Sequence, residues 1–374
     1  MGKTELSGIY FRLYFSDFIF FQHFKRRHNV TTAIHFYHNL LLDFWSKFFK
    51  MEKNNLDSIN STGFDKDTKK DSLGFTRQYY SNSTKIGVIA DIQYADVEDE
   101  TNVWSGETRR FRESLKCAKR AGKHFQSVGV DLVLQMGDIL DGKSGKNYKK
   151  YLLEWIFPAL KCTTTQRDSE EEIEVPRIDI MGNHELYLAK RNEWKNLSNF
   201  FDVSSNELRS YREICNDKWR VIFLDTYAVN VVEFTPDEIQ GALEYPFRYR
   251  DQWPEKYRIG HEFLEENNLQ ALKGYSGEQK IDWFKGVPTE KKKFVPFNGG
   301  LGEKQLKWLE NQLSEAYQKK QLVCLFGHIP ITKNNWSSKC ILWDSEDLGK
   351  LLKESGQHTA AYFGKNLEAL KLWD

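Results

Sequence analysis

The sequence predicts an α/β fold, of the layered α+β type, in which a central β-sheet is covered by helices. Four apolar runs are predicted to be buried strands, and each is followed by residues that can bind metal ions: Lys85–Ala90, Val130–Met136, Arg177–Met181 and Leu322–Phe326. Segments with the apolar spacing of amphipathic helices follow the first strand and precede the fourth. Strands that alternate with helices are typical of parallel sheets joined by helical crossovers.

The first predicted strand ends at Asp91-Ile92-Gln93 and is followed by a predicted helix. Apolar residues recur there at helical spacing, namely Phe111, Leu115, Ala118, Phe125 and Val128. Ser105 is a candidate N-cap and Gly129 a candidate stop signal for this helix. The helix would connect the first strand to the second, as a βαβ crossover does.

The other three predicted strands also end in candidate ligands. They are followed by Gly137-Asp138, by Gly182-Asn183-His184-Glu185 and by Gly327-His328. Ends of neighbouring parallel strands meet at one edge of a sheet, where carboxylate, amide and imidazole groups would form a cage for a divalent cation. A single run of this kind is more typical of an ordinary turn. Several such runs, in this order and each directly after a predicted strand, predict one shared site.

Two further elements complete the predicted core. Trp219–Tyr227 is predicted to be a strand because it is almost continuously apolar and aromatic. Glu303–Lys320 is predicted to be a helix, with apolar residues at helical spacing (Leu306, Leu309, Leu313 and Ala316).

An insertion is predicted at residues 229–296, between the strand Trp219–Tyr227 and the run Phe297-Asn298-Gly299-Gly300. A segment of this length beside an active edge is often a lid or specificity loop. Its aromatic residues Tyr245, Trp253, Tyr257 and Trp283 could stack on a nucleobase or could pack locally, and the sequence leaves both interpretations open. Lys291-Lys292-Lys293 is predicted to be a solvated charge run rather than a phosphate site.

Residues 1–83 are predicted to form an N-terminal extension, helical or poorly ordered, followed by a polar linker, and residues 84–374 to form the domain. Ile9–Phe24 is rich in aromatic residues, but Arg12 and Asp17 interrupt it. It falls short of the ~20 apolar residues that a membrane span requires. We therefore expect no stable membrane insertion.

Composition narrows the class of partner and compartment. The net charge of +1 gives no overall field that would attract nucleic acid. The 5 cysteines show no CxxC spacing, a pattern that suits a reducing compartment. We expect a cytoplasmic monomer whose partner is a small-molecule nucleotide-diphosphate substrate.

The ordered set of motifs resembles the calcineurin-like metallophosphoesterases over about residues 84–363. Most of that superfamily has histidine at the position of Gln93. Glutamine there, together with Phe297-Asn298-Gly299-Gly300 and Gly327-His328-Ile329-Pro330, resembles the manganese-dependent ADP-ribose/CDP-alcohol diphosphatases. The resemblance implies a metallophosphoesterase β-sandwich flanked by helices.

The resemblance also implies roles for individual residues at a centre of two divalent metal ions. Asp138 would bridge the ions, Asp91 and Gln93 would bind one, and Asn183 and His328 the other. His184 would be the catalytic residue that stabilises or protonates the leaving oxygen. Since Gln93 offers a neutral oxygen, we expect Mn²⁺, with Mg²⁺ as the second choice. Buried core histidines are the alternative interpretation of His184 and His328.

The activity implied by the resemblance is hydrolysis of the diphosphate bond of ADP-ribose and of CDP-alcohols such as CDP-choline and CDP-glycerol. The products would be a nucleoside monophosphate and a phosphorylated sugar or alcohol. The alternative is a catalytically inactive nucleotide-binding or interaction form.

The C-terminal end of the sequence differs from the family pattern. The family continues from a strand at Thr359–Phe363 into Gly-His-x-His, which supplies a ligand to each ion, whereas this sequence continues with Gly364-Lys365-Asn366. We therefore expect the C-terminal strands of the sandwich to be missing, and a version extended through that motif to turn over faster.

Overall fold

The computed structural model of the 374-residue chain describes twelve stretches of the sequence. They are residues 85–101, 108–165, 172–194, 197, 199–200, 211–215, 219–233, 255–275, 282–331, 339–355, 359–364 and 369–370. The predicted extension and linker at residues 1–83 and the candidate N-cap Ser105 lie outside these stretches.

The described strands and helices alternate along the chain as predicted. The strands are β1 Ile86–Ile89, β2 Glu100–Thr101, β3 Thr108–Arg109, β4 Leu132–Gln135, β5 Thr163–Thr165, β6 Glu172–Glu174, β7 Arg177–Asp179, β8 Arg212–Cys215, β9 Trp219–Phe223, β10 Leu322–Phe326, β11 Thr359–Phe363 and β12 Ala369–Leu370. The α-helices are α1 Glu113–Val128, α2 Tyr148–Tyr151, α3 Phe157–Leu160, α4 Asn183–Leu188, α5 Arg191–Trp194, α6 Glu255–Tyr275, α7 Gly302–Gln318 and α8 Ser345–Glu354. A π-helical turn, Leu152–Ile156, joins α2 to α3.

Two larger sheets form the centre of the fold. The first has the strand order β1-β4-β7, and its strands run parallel. The second has the order β12-β11-β10-β9-β8, with β9, β10 and β11 parallel and the two outer strands antiparallel to their neighbours. Two short hairpins pair β2 with β3 and β5 with β6.

The two sheets pack face to face. Alternate residues of each strand point into the space between the sheets, as the period of two in a strand requires. One apolar cluster joins Val88 and Leu134 of the first sheet to Val221, Phe223 and Phe326 of the second. The rings of Phe223 and Phe326 stack at 6.0 Å between centroids. The expected β-sandwich is therefore present.

Helices cover the outer faces of the sandwich, again as expected. On the first sheet, Phe125 of α1 packs so closely on β1 that a Cβ at Gly87 would lie 2.8 Å from its ring. On the second sheet, Leu309 and Leu313 of α7 share an apolar cluster with Val323 and Leu325 of β10. The predicted stop of α1 at Gly129 is confirmed, because this glycine has the left-handed φ of 62° that often ends a helix.

The predicted strand Trp219–Tyr227 is too long. The ladder ends at Phe223, although Leu224 still donates a backbone hydrogen bond to Phe326. Beyond it, the carboxylate of Asp225 accepts from the backbone N–H of Tyr227 at 2.9 Å and closes a turn. An aspartate that can bond to the backbone two residues on favours a turn over an extended strand.

The prediction for the lysine run is wrong at Lys293. This residue is only 3% exposed. Its ammonium group donates to Ser345 Oγ at 3.0 Å and pairs with the carboxylate of Glu346 at the start of α8. A buried ammonium group needs a partner, and Lys293 finds its partners on α8. Lys293 therefore attaches the insertion to the core.

Among the described residues, no helix combines the length and the apolar character that crossing a membrane requires. All five cysteines lie in described segments and none forms a disulfide.

Candidate metal centre

Three predicted ligands meet at one edge of the sandwich. Asp91 follows β1, Asp138 follows β4 and His328 follows β10. One ligand atom from each lies within 4.8 Å of the others. The two carboxylates are therefore as close as a shared metal centre requires, since ions in a pair sit about 3.5–4 Å apart.

The two candidate amide ligands lie beside this cluster. Gln93 Nε2 donates to Asp138 Oδ2 at 3.1 Å, and Gln93 would bind a cation through its other amide atom, Oε1. The backbone N–H of His184 donates to Asp138 Oδ1 at 3.0 Å, which places the start of α4 against this carboxylate. The structure thus brings the side chains of Asp91, Gln93, Asp138 and His328 together and places the backbone that carries Asn183 and His184 against them, while their roles as ligands stay predictions.

The backbone of three candidate ligands adopts the left-handed conformation. φ is 50° at Asp91, 44° at Gln93 and 57° at Asp138, and in the described part of the chain the one other non-glycine residue with positive φ is Lys320. Such conformations cost free energy and cluster at functional sites. Hydrogen bonds hold them here, from Asp91 N to Gly137 O and from Gln93 N to Asp138 O.

Glu185 fixes the loop that carries Asp138. This carboxylate is fully buried and accepts three backbone hydrogen bonds, from Asp138 at 2.9 Å, Ile139 at 2.7 Å and Gly182 at 2.8 Å. Burial and then the negative charge of Asp138 raise the pKa of Glu185 to about 7. Glu185 therefore joins the loop after β4 to the loop after β7.

His328 is fully buried, yet its ring is oriented as a ligand would be. Nδ1 lies 2.7 Å from the backbone carbonyl of Met136 and donates to it in the neutral imidazole. The lone pair is then on Nε2, 3.4 Å from Asp138 Oδ2. Metal-binding histidines usually fix their other nitrogen in this way. The geometry favours the ligand interpretation over that of a core histidine.

His184 has the opposite tautomer. Its Nδ1 accepts the backbone N–H of Gly142 at 3.1 Å, so the proton of the neutral ring is on Nε2. Asp141 Oδ2 lies 3.5 Å from the same Nδ1 and also accepts from Arg109 at 3.2 Å. With 12% of its side chain exposed, His184 can reach a ligand, and it presents a proton donor.

The residues present fit divalent ions. Two carboxylates, an imidazole nitrogen and two amides form a mixed oxygen and nitrogen donor set, which suits Mn²⁺ and Mg²⁺. Two glycines, which have no side chain, leave room for these groups. A Cβ at Gly137 would lie 2.4 Å from His328 Nδ1, and one at Gly182 would lie 2.3 Å from Asp138 Oδ1.

Three residues that shape this site had no role in the sequence-based prediction. Asp141 lies three residues after Asp138, and Glu185 is the last residue of the run Gly182-Asn183-His184-Glu185, so their closeness to the candidate ligands was an available signal. Tyr227 had no such signal, because it lies after β9 and reaches Asn183 only in the folded chain, where its hydroxyl is 3.1 Å from Asn183 Oδ1.

Among the aromatic residues of the predicted insertion, Trp283 lies in the described part of the chain together with its side chain. Its ring stacks on Phe297 at 6.1 Å between centroids and packs against Gly274 of α6. Local packing is thus observed for Trp283, while stacking on a nucleobase stays a prediction. Tyr245, Trp253 and the side chain of Tyr257 lie outside the described residues.

Replacing Gly182 with alanine is expected to damage the centre. The new methyl group would overlap Asp138 and push its carboxylate off the strand-end position, so metal affinity should fall by at least about tenfold. Gly349→Ala in α8 is the control, since no atom lies within 4 Å of its Cβ. That change should raise stability by about 0.5–1 kcal/mol and leave metal binding unaltered. Manganese titration and thermal unfolding of both variants check this, and unchanged binding in Gly182→Ala would contradict it.

Comparisons with known proteins agree with this geometry. Residues 84–364 match the family model for calcineurin-like phosphoesterases. A protein from Arabidopsis thaliana named manganese-dependent ADP-ribose/CDP-alcohol diphosphatase is 28% identical, over 71% of this chain and 74% of the relative. A human protein of the same name is also 28% identical, over 70% of each chain.

A solved structure has the same fold. The crystal structure of a dimetal phosphatase from Danio rerio superposes with a TM-score of 0.55 and 25% identity, covering 72% of this chain and 77% of that one. The family match extends over most of the chain and includes every residue of the candidate centre. The chain therefore belongs to the calcineurin-like phosphoesterase family.

Proposed function

We propose that this protein uses divalent metal ions, with manganese preferred, to hydrolyse the diphosphate bond of ADP-ribose and CDP-alcohols. The observation that carries the proposal is the cluster of Asp91, Asp138 and His328 at one edge of the sandwich, with His184 beside it. The relatives' names supply the substrate class, and Gln93 supplies the metal preference. The products would be a nucleoside monophosphate and a phosphorylated sugar or alcohol.

The proposed centre assigns each ligand a place. Asp138 contacts both Gln93 and the start of α4, so it is the residue best placed to bridge two ions. Asp91 and Gln93 would hold one ion, and Asn183 and His328 the other. When bound, divalent ions would neutralise the charge of a diphosphate and polarise its oxygens.

His184 is the proposed catalytic residue. Gly142 donates to its Nδ1, so the ring is neutral and its Nε2–H can donate a hydrogen bond to the phosphate oxygen that leaves. The backbone N–H of Gly142 holds the ring through Nδ1, and the rings of His184 and Tyr187 pack edge to face at 5.2 Å between centroids. A hydrogen bond at that oxygen stabilises the negative charge that develops on the departing monophosphate.

The test is product analysis with purified protein. With Mn²⁺ present, ADP-ribose should yield AMP and CDP-choline should yield CMP, and activation by Mn²⁺ should exceed activation by Zn²⁺. Bis(p-nitrophenyl) phosphate is a useful comparison, because a phosphodiesterase would cleave it. Cleavage of this diester without cleavage of either diphosphate would contradict the substrate class. Binding of ADP-ribose without turnover would favour the inactive alternative. The monomeric state and the cytoplasmic location stay predictions.

A further inference from the structure

The hydroxyl of Tyr227 lies between two carbonyl oxygens. One is Asn183 Oδ1 at 3.1 Å, and the other is the backbone oxygen of Phe297 at 3.0 Å. A phenolic hydroxyl has one proton, so it can donate to only one of these oxygens. If Asn183 Oδ1 faces the hydroxyl, one of these two carbonyl oxygens therefore receives no hydrogen bond from Tyr227.

A half-turn of the Asn183 amide removes the conflict. Tyr227 then donates to Phe297 O, and Asn183 Nδ2 donates to the lone pair of the tyrosine oxygen. The tyrosine oxygen and the Phe297 carbonyl then both have a partner, which avoids the cost of an unpaired backbone carbonyl. The same half-turn directs Oδ1 away from Tyr227, so that this oxygen can bind a cation. An amide binds cations through oxygen, because its nitrogen has no available lone pair.

Tyr227 is held rigidly enough to impose this choice. Its side chain is 1% exposed, and its ring lies 5.9 Å from that of His328. Its backbone N–H donates to Asp225 Oδ1, and its carbonyl accepts from Arg191. Burial, and then the charge of Asp138, raise the pKa of Tyr227 well above its usual value. The hydroxyl is therefore held between the two oxygens that compete for its proton.

We propose that Tyr227 is a positioning residue that sets the orientation of the Asn183 amide, so that Oδ1 is directed at the metal centre. This inference rests on the proposed role of Asn183 as a ligand. It also gives a function to the run Phe297-Asn298-Gly299-Gly300. The backbone carbonyl of Phe297 accepts the hydrogen bond of the tyrosine hydroxyl. Gly299 leaves room for the tyrosine ring, since a Cβ there would lie 2.9 Å from Tyr227 Cδ1.

The arrangement connects the insertion to the metal centre. The ring of Phe297 stacks on Trp283 of the insertion, while the Phe297 carbonyl holds Tyr227. Asn298 anchors the same run through bonds from Nδ2 to Lys293 O at 2.8 Å and to Lys339 O at 2.6 Å. A shift of Phe297 would therefore move the group that orients Asn183.

The test is a double-mutant cycle on manganese affinity, measured by the electron paramagnetic resonance signal of free Mn²⁺. Tyr227→Phe should weaken binding by about 10- to 100-fold, as is typical for groups that orient a ligand. Asn183→Asp has two equivalent oxygens, so its orientation does not matter. In that background, adding Tyr227→Phe should change affinity by less than about threefold. Tyr148→Phe is the control, since it removes a buried hydroxyl that bonds to Glu193 outside the site.

A second measurement does not depend on metal. In full-length protein with ¹⁵N-labelled asparagine, the Asn183 side-chain NH₂ protons should show nuclear Overhauser contacts to the Tyr227 ring protons next to the hydroxyl. Equal losses of affinity in both backgrounds, or no such contacts, would overturn the inference. If the wild-type protein binds no manganese, the proposed function fails, and the amide contacts alone decide whether Tyr227 orients Asn183.

Discussion

Asp138→Asn should lower the rate of ADP-ribose hydrolysis by about three orders of magnitude, equivalent to ~4 kcal/mol of lost transition-state stabilisation. The change removes the negative charge that would lie between two cations, while the side chain keeps its shape. Gln93→His should cost much less, on the order of tenfold, because histidine is still a ligand. It should also shift the metal preference towards Zn²⁺, since imidazole is softer than an amide oxygen. Steady-state kinetics of both variants with Mn²⁺ and Zn²⁺ check this.

A stability measurement separates this effect from unfolding. Asp138 is 1% exposed and lies close to Asp91 and Glu185. In protein stripped of metal, Asp138→Asn removes a buried negative charge that raises the pKa of Glu185. The variant should therefore be no less stable than the wild type, because the charge that disfavours the buried Glu185 carboxylate is gone. Equal kinetic losses in the two variants would contradict Asp138 as the bridge.

The position of the ligands was predictable because it depends on local patterns. Apolar runs predict strands, and polar residues after them lie at a sheet edge, so Asp91 and Asp138, on neighbouring strands of the first sheet, could be placed together from the sequence. His328 follows β10 of the second sheet. The second sheet was not predicted from the strands themselves. It came from the family resemblance, because a period of two does not tell which strands pair.

The orientation of the side chains could not be predicted. The positive φ at Asp91, Gln93 and Asp138 depends on hydrogen bonds between loops that are distant in the sequence. The contact between Tyr227 and Asn183 likewise joins residues that are far apart in the sequence, 44 positions from each other. Glu185 bonds to Asp138, 47 residues away. Such contacts carry no periodic signal, so only the folded chain reveals which polar groups lie against the candidate ligands.

A buried network of ion pairs contacts the backbone of Tyr227. Arg191 Nη1 lies 2.6 Å from Asp225 Oδ2, and Arg191 Nε lies 3.1 Å from Glu233 Oε2. The side chains of Arg191 and Asp225 are 5% and 3% exposed. Arg191 also donates to the carbonyl of Tyr227, and Asp225 accepts from its N–H. Both backbone groups of Tyr227 are thus held by one pair of opposite charges.

Arg191→Met should therefore lower the free energy of unfolding by about 3–5 kcal/mol, because it leaves the Asp225 carboxylate buried without its cation. Methionine has a similar length, so lost volume contributes little. Arg112→Met is the matched control. Arg112 is 49% exposed and bonds to Asp96 and Glu98 in solvent, where water screens the charges, so stability should change little. Chemical denaturation of both variants makes the comparison. Adding Asp225→Asn to Arg191→Met should recover part of the loss, since the buried charge is then gone. Equal effects of the two arginine changes would show that the buried Arg191 network stabilises the fold no more than the exposed ion pairs of Arg112 do.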